Sequence, residues 1–376
     1  MIYLDYAADA PVEPEVLARF CEMTSTPDCL RFGNPNAAHA AGRAARAEMA
    51  RIAESIAAML GAQPDEVIFT SGATEANNTA IKGIAQARGG GHIISTPLEH
   101  ASVRACLDYL SAHGWQIDLL RLMPDGQVDL DHLAELLTLE TALLAISAVD
   151  SELGTIQPLN EIRTLLNAYP GCRLHVDATQ AVGRIPIRFD GIDTLGLSLH
   201  KFGGINGSGL LLKRRNVEME PLLHGGAGAS AFRSGTPALA LAAAGETALR
   251  LALENRAAHF EVVAALNRRL RAALLERPGV RLNSPEGAIP HILNLSVDGV
   301  RGARFQQMLD EMGVCVSVKS ACATDGAPSA AVLALCGDRR NALSSWRVSL
   351  SHLTTDAELD GFLATFDACC RQRLPH

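Results

Sequence analysis

Between residues 66 and 212 the sequence alternates short apolar runs with longer stretches, several of them helical in character, and this alternation leaves few folds open. The runs Glu66 to Thr70, Ala142 to Val149, Arg173 to Val176, Thr194 to Leu197 and Gly209 to Leu212 read as strands. A helix opens near Thr74, directly after the turn Ser71-Gly72, and upstream Met49, Ile52, Ile56 and Met59 recur at helical spacing before Gly61, a C-cap residue. Strands that alternate with helices predict a largely parallel sheet covered on both faces, with its chemistry at the carboxyl ends of the strands.

The pattern changes after the helical stretch Leu239 to Leu253. A separate long amphipathic helix carrying Phe260, Val263, Leu270 and Leu274 is predicted to stop at Arg277-Pro278-Gly279. Short strands then follow near Ile292 to Val297, Val314 to Val318 and Trp346 to Leu350. This predicts a second, α+β domain. The expected division is a large domain over residues 15–252, with 1–14 and 253–376 forming the small one. A chain of 376 residues with 48% apolar side chains has ample material for two cores.

Net charge is −8 and the basic residues are scattered, which argues against a nucleic-acid-binding face. No apolar run is long enough to span a bilayer, and the start Met1-Ile2-Tyr3-Leu4-Asp5 has no signal-like core, so a cytoplasmic protein is expected. The nine cysteines are too sparse for a disulfide scaffold and include no C-x-x-C pair; Cys369-Cys370 is read as packing.

Three segments carry chemistry. Ser198-Leu199-His200-Lys201 follows an apolar strand and precedes a glycine-rich turn, a setting that shields a lysine amine for Schiff-base formation while Ser and His reach a phosphate. His175-Val176-Asp177-Ala178-Thr179-Gln180 ends a buried strand on a carboxylate, which needs a partner there. Ser71-Gly72-Ala73-Thr74 is a strand, a glycine turn and a helix start, whose free amides suit a phosphate.

In this order the segments resemble the pyridoxal-phosphate enzymes of the class V aminotransferase superfamily, and more narrowly cysteine desulfurases of the NifS/IscS type. The resemblance runs from Tyr3-Leu4-Asp5-Tyr6-Ala7-Ala8 and Gly33-Asn34-Pro35 through Glu99-His100 and Glu152-Leu153-Gly154-Thr155. It continues through Arg233-Ser234-Gly235-Thr236 and Ser320-Ala321-Cys322 to Arg347-Val348-Ser349-Leu350. It implies an α/β fold of type I, aspartate aminotransferase-like, with a mostly parallel seven-stranded sheet, helices on both faces and a smaller α+β domain. It also implies that Lys201 carries pyridoxal 5'-phosphate, that Asp177 pairs with the pyridine nitrogen and that His100 stacks on the ring and moves protons. Gln180 would bond the phenolic oxygen, with Ser151 nearby where the family has Asn. Thr74, Ser198 and His200 would hold the phosphate, joined by Thr236 from the other subunit of a homodimer. Arg347, assisted by Asn34, would grip the substrate carboxylate.

The activity implied is conversion of L-cysteine to L-alanine, with sulfur held on Cys322 as a persulfide and passed to a protein acceptor. Two alternatives stand beside it: a selenocysteine lyase or cysteine sulfinate desulfinase, and a cofactor-binding regulatory or scaffolding paralogue. The sequence departs from the family at several points. Leu199 replaces Gly and is expected to add bulk beside the phosphate, and Ala227 to Ser230 replace a charged segment. Asp9-Ala10 replaces a Thr pair, Ser351-His352 replaces Gly-Arg, and the end at His376 lacks the tail with which housekeeping relatives dock an iron–sulfur scaffold.

Overall fold

Why the alternating pattern works as a sheet is visible in the computed structural model, which describes residues 1–25, 33–226, 228, 230–318 and 326–372. The chain opens with β1 (Ile2–Tyr3), α1 (Pro14–Ser25) and α2 (Ala40–Leu60). Then come β2 (Val67–Thr70), α3 (Ala73–Arg88), β3 (His92–Ser95), α4 (Ala101–Ala112), β4 (Gln116–Leu119), α5 (Leu130–Leu136), β5 (Thr141–Ser147), α6 (Leu159–Leu166), β6 (Arg173–Asp177), β7 (Thr194–Ser198) and β8 (Gly209–Lys213). These strands form one seven-stranded sheet in the order β2-β8-β7-β6-β5-β3-β4. Only β8 runs against its neighbours β2 and β7; the other pairs are parallel. Strands β5 to β8 are almost wholly buried, which is why they read as continuous apolar runs rather than alternating ones.

Two apolar layers cover the sheet. One holds Ile52, Ile56, Leu144, Val176, Leu197 and Leu212, and the other holds Ile81, Val103, Leu107, Leu143 and Leu211. The helix ends follow their sequence signals. Gly61 ends α2 at φ 77° and returns its N–H to the carbonyl of Ala57.

The second half begins with α7 (Leu239–Leu275), followed by β9 (Val280–Leu282), β10 (Ile292–Val297), α8 (Gly302–Glu311), β11 (Val314–Cys315), α9 (Ala330–Cys336), α10 (Arg339–Ser344), β12 (Ser345–Ser349) and α11 (Asp356–Gln372). Strands β12-β10-β9 make an antiparallel sheet, and β1 pairs with β11. Their core is centred on Trp346, which stacks on Phe305 at 5.3 Å and neighbours Phe362 and Phe366.

Two sequence expectations need correction. The helical stretches predicted on either side of Leu253 are a single helix of 37 residues, because no Gly or Pro breaks the run between them. Leu239, Ala242, Ala243 and Leu249 serve the large core, and Val263, Leu266, Leu270 and Leu274 the small one. The strand predicted over Val314 to Val318 is shorter, since β11 stops at Cys315 and only Ser317 bridges onward, to Arg347.

Candidate active site

The turn between β2 and α3 is built for close approach. Gly72 has φ 149°, and a Cβ on Gly209 of β8 would lie 2.5 Å from the Gly72 Cα, so the antiparallel neighbour strand demands glycine at that crossing. The first turn of α3 is therefore pressed onto the end of β7, where Ser198 Oγ accepts the Ala73 N–H at 2.7 Å. The amides of Thr74 and Glu75 donate to no protein acceptor among the described residues, and the exposed Thr74 hydroxyl is likewise unbonded. Two free helix N-terminal amides and a hydroxyl make an anion cradle.

Beside this cradle, β6 ends on the buried carboxylate of Asp177. Asn77, one turn into α3, donates to its Oδ2 at 2.7 Å, and the Thr179 amide donates to Oδ1 at 2.9 Å. No cation forms a salt bridge with it among the described residues. Behind Asn77 the relay continues: its Oδ1 meets His175 Nε2 at 3.0 Å, and His175 Nδ1 meets Thr194 Oγ1 at 2.9 Å. Burial pushes the His175 imidazole down to about 4, so it is neutral at pH 7.

Lys201 sits in the short 3-10 turn Leu199–Phe202 that closes β7, and its Nζ donates to the carbonyl of Ala8. Burial, followed by the nearby charges of Arg347 and Arg184, pulls its amine down to about 8. About a tenth of the amine is thus neutral at pH 7, far more than for an ordinary lysine, which favours a nucleophilic role. His200 beside it is half-buried and also held below its usual range, first by burial and then by Lys201.

His100 caps α4. Its Nδ1 accepts the Ser102 amide at 3.2 Å, which leaves the ring proton of the neutral imidazole on Nε2. Burial lowers its pKa, against the opposing pull of Asp177. The preceding Glu99 is buried on Thr96 Oγ1 and Ser147 Oγ, both at 2.7 Å, and burial raises it to about 7.

Arg347 of β12 is 2% exposed, donates to Ser151 O at 2.7 Å and pairs with Asp5 at 2.8 Å. Its Nε has no hydrogen-bond partner among the described residues. Gln180 donates to Ala7 O at 3.0 Å and accepts from Arg184. Asn34 and Thr236 are exposed; Asn34 Oδ1 caps its own turn by accepting the Asn36 amide at 2.9 Å.

The structure thus gathers Ser198, His200 and Lys201 at the end of β7 and Asp177 at the adjacent end of β6, with Thr74 opening α3. Arg347 and Ser151 meet through one hydrogen bond, and no hydrogen bond joins Asn34 to either. Cys322 lies outside the described residues, as do Ala227 and Ala229. The expectation for Leu199 is corrected: its side chain is buried in the large core, in a notch left by Gly245 of α7, where a Cβ would lie 2.5 Å from Leu199 Cδ1. Sequence reasoning gave Asn77 no role, although its place one turn beyond a phosphate-type helix start, facing the next strand ends, was a usable signal.

The chain is similar over nearly its whole length to known proteins. The aminotransferase class-V family profile matches residues 2–362. A "NifS/IcsS protein homolog" of Lactobacillus delbrueckii subsp. bulgaricus is 35% identical over 98% of this chain and 96% of its own. "Cysteine desulfurase IscS" of Dictyoglomus turgidum is 36% identical over 96% of this chain and 92% of its own. A solved structure described as a NifS-like protein superposes with a TM-score of 0.91 at 31% identity, covering 99% of each chain.

Proposed function

Since the chain belongs to the class-V aminotransferases, among relatives of the NifS/IscS cysteine desulfurase type, we propose that it is a pyridoxal-phosphate-dependent cysteine desulfurase. The observation that carries the reading is the buried, cation-free carboxylate of Asp177 beside the lysine-bearing turn at the end of the next strand. A buried carboxylate is costly unless a positive group meets it, and a protonated pyridine nitrogen meets that need. The remaining groups fit the same cofactor: the free amides of Thr74 and Glu75, with the Thr74 hydroxyl, Ser198 and His200, for the phosphate; Gln180 and Ser151 for the phenolic oxygen; His100 for the ring face. When bound, the cofactor supplies an aldehyde for a covalent link and an electron-withdrawing ring.

The chain's own residues do the rest. Lys201, its amine lowered by burial, supplies the link and then a base for the substrate α-proton. His100, its pKa lowered by burial and its ring proton on Nε2, presents an N–H hydrogen-bond donor to the site. Arg347 receives the substrate carboxylate, with Asn34 assisting, and Asp5 holds the guanidinium in place. Cys322 attacks the substrate sulfur: an S–S bond forms, the C–S bond breaks, and cysteine plus thiol become alanine plus persulfide. We further read the protein as a cytoplasmic homodimer in which the exposed Thr236 serves the partner's phosphate site, passing sulfur to a protein acceptor. No helix among the described residues is long and apolar enough to cross a membrane.

The test is to purify the protein, record its visible absorbance and measure alanine and sulfide from L-cysteine with a reductant. An absorbance band lost in Lys201→Ala, and cysteine turnover lost in Cys322→Ala, are the expected results. A band without alanine would turn the reading toward a scaffolding paralogue. Retained selenocysteine or sulfinate turnover in Cys322→Ala would remove the thiol from those reactions.

A further inference from the structure

A cavity of about 210 Å³ is lined by Arg184, Lys201, His259, His291 and His352, with Glu13 as the carboxylate in its lining, and neither Thr74 nor Ser198 takes part in it. Its composition is unusual for an interior. Arg184 is 7% exposed and has no carboxylate partner among the described residues; its one side-chain hydrogen bond runs from Nη1 to Gln180. Nε and Nη2 donate to no protein acceptor there, and neither is sealed from solvent. A buried guanidinium ordinarily has an anion against it. His291 is 6% exposed, and its buried Nδ1 also lacks a hydrogen-bond partner among the described residues.

His352 stacks on His259 with centroids 3.5 Å apart and planes at 6°. Its Nδ1 meets Ser351 Oγ at 3.4 Å, and Nε2 makes no hydrogen bond among the described residues. The nearest acids do not neutralise Arg184. Glu13 acts on His259, and Asp5 and Asp9 act on Lys201, whereas the charge felt by Arg184 is that of Arg347. Arg347 is itself already paired with Asp5. The cavity therefore sets the Arg184 guanidinium and the Lys201 amine against a single carboxylate in its lining, with the rings of His259, His291 and His352, each held below its usual range first by burial, beside them.

We propose that this cavity binds a small oxyanion, received by the free edge of Arg184 and by ring nitrogens of His291 and His352. The site is separate from the phosphate cradle at α3 and from the Arg347 guanidinium. It does not depend on the desulfurase reading, because the unpaired guanidinium and the cavity are properties of the apoprotein fold. Its volume suits an inorganic tetrahedral anion or the carboxylate end of a three-carbon amino acid.

Thermal melts of the full-length protein, saturated with pyridoxal phosphate so that the phosphate cradle is filled, would test this. Sodium sulfate is titrated against sodium chloride of matched ionic strength, and L-alanine in a parallel series. Wild type should show a saturable rise in melting temperature with at least one of the two, and which one responds identifies the source of the oxyanion. In Arg184→Met the midpoint should weaken by at least about ten-fold, the scale of one charge-assisted hydrogen bond. His352→Phe keeps the ring stack but removes both nitrogens, and should weaken it by about three-fold. No saturable rise with either anion, or an unchanged midpoint in Arg184→Met, overturns the proposal. If Arg184→Met does not fold, an unchanged midpoint in His352→Phe does so instead.

Discussion

Replacing Asn77 should damage both the stability and the cofactor affinity of this protein, and the size of the effect can be worked from its contacts. Asn77 is fully buried and donates to Asp177 at 2.7 Å and to Ser102 at 2.9 Å, while its carbonyl meets His175 at 3.0 Å. Asn77→Ala strips one bond from a buried carboxylate, about 2 kcal/mol, and two neutral ones, about 1 kcal/mol each. The sum is about 4 kcal/mol, and at the usual unfolding entropy per residue this lowers the melting temperature by about 5 °C.

Asn77→Asp separates electrostatics from shape. It sets a second carboxylate where Asn77 now donates to Asp177, so one of the two is held protonated with its folded pKa raised. An acid whose folded pKa is raised binds more protons folded than unfolded, so stability is lost as pH rises above about 4, the unfolded carboxyl value. Melts between pH 5 and 8 should therefore fall more steeply for Asn77→Asp than for Asn77→Ala, with cofactor retention following the same slope. Parallel pH profiles for the two variants, or an Asn77→Ala protein within about 1 °C of wild type, would refute the relay as a support for Asp177.

Other perturbations are equally direct. Because the Lys201 amine is pulled down to about 8, the rate at which apoprotein regains its absorbance band should climb with pH and level off near 8. A climb continuing toward the ordinary lysine range, about 10.4, would contradict the burial argument. Arg347→Ala removes the buried partner of Asp5, which is itself partly exposed and keeps its bond from Ser317, so steady-state kinetics should show a raised KM for cysteine together with a destabilisation of about 1.5 kcal/mol in chemical denaturation. Leu199→Gly empties the notch at Gly245. It should destabilise by about 3 kcal/mol, with cofactor affinity measured by dialysis left unchanged.

Legibility in the sequence tracked how locally each feature is encoded. Strands β5 to β8 were readable because burial on both faces makes them continuous apolar runs. Strands β3 and β4 went unnoticed: each has four residues, and the edge strand β4 carries Gln116 and Asp118, so neither presents a run or a clean alternation. Lys201 was legible because it stands at a strand end beside a glycine-rich turn, and Asp177 because it is a carboxylate ending a buried strand. The Thr194–His175–Asn77–Asp177 relay was not, since it joins three elements whose register no local pattern reports. The solitary Arg184 guanidinium was hidden for a related reason: a missing partner is a property of three-dimensional surroundings alone.

The uninterrupted run of α7 through both cores has a mechanical consequence. At 37 residues it is a rod about 55 Å long, and bending it near Leu253 would break consecutive backbone hydrogen bonds on one side. A clamshell motion about that point is therefore stiff, and the two cores are yoked to one another as ends of a single beam. Motion between the cores has to come from elements other than α7, so stiffening α7 should leave turnover in steady-state assays unchanged.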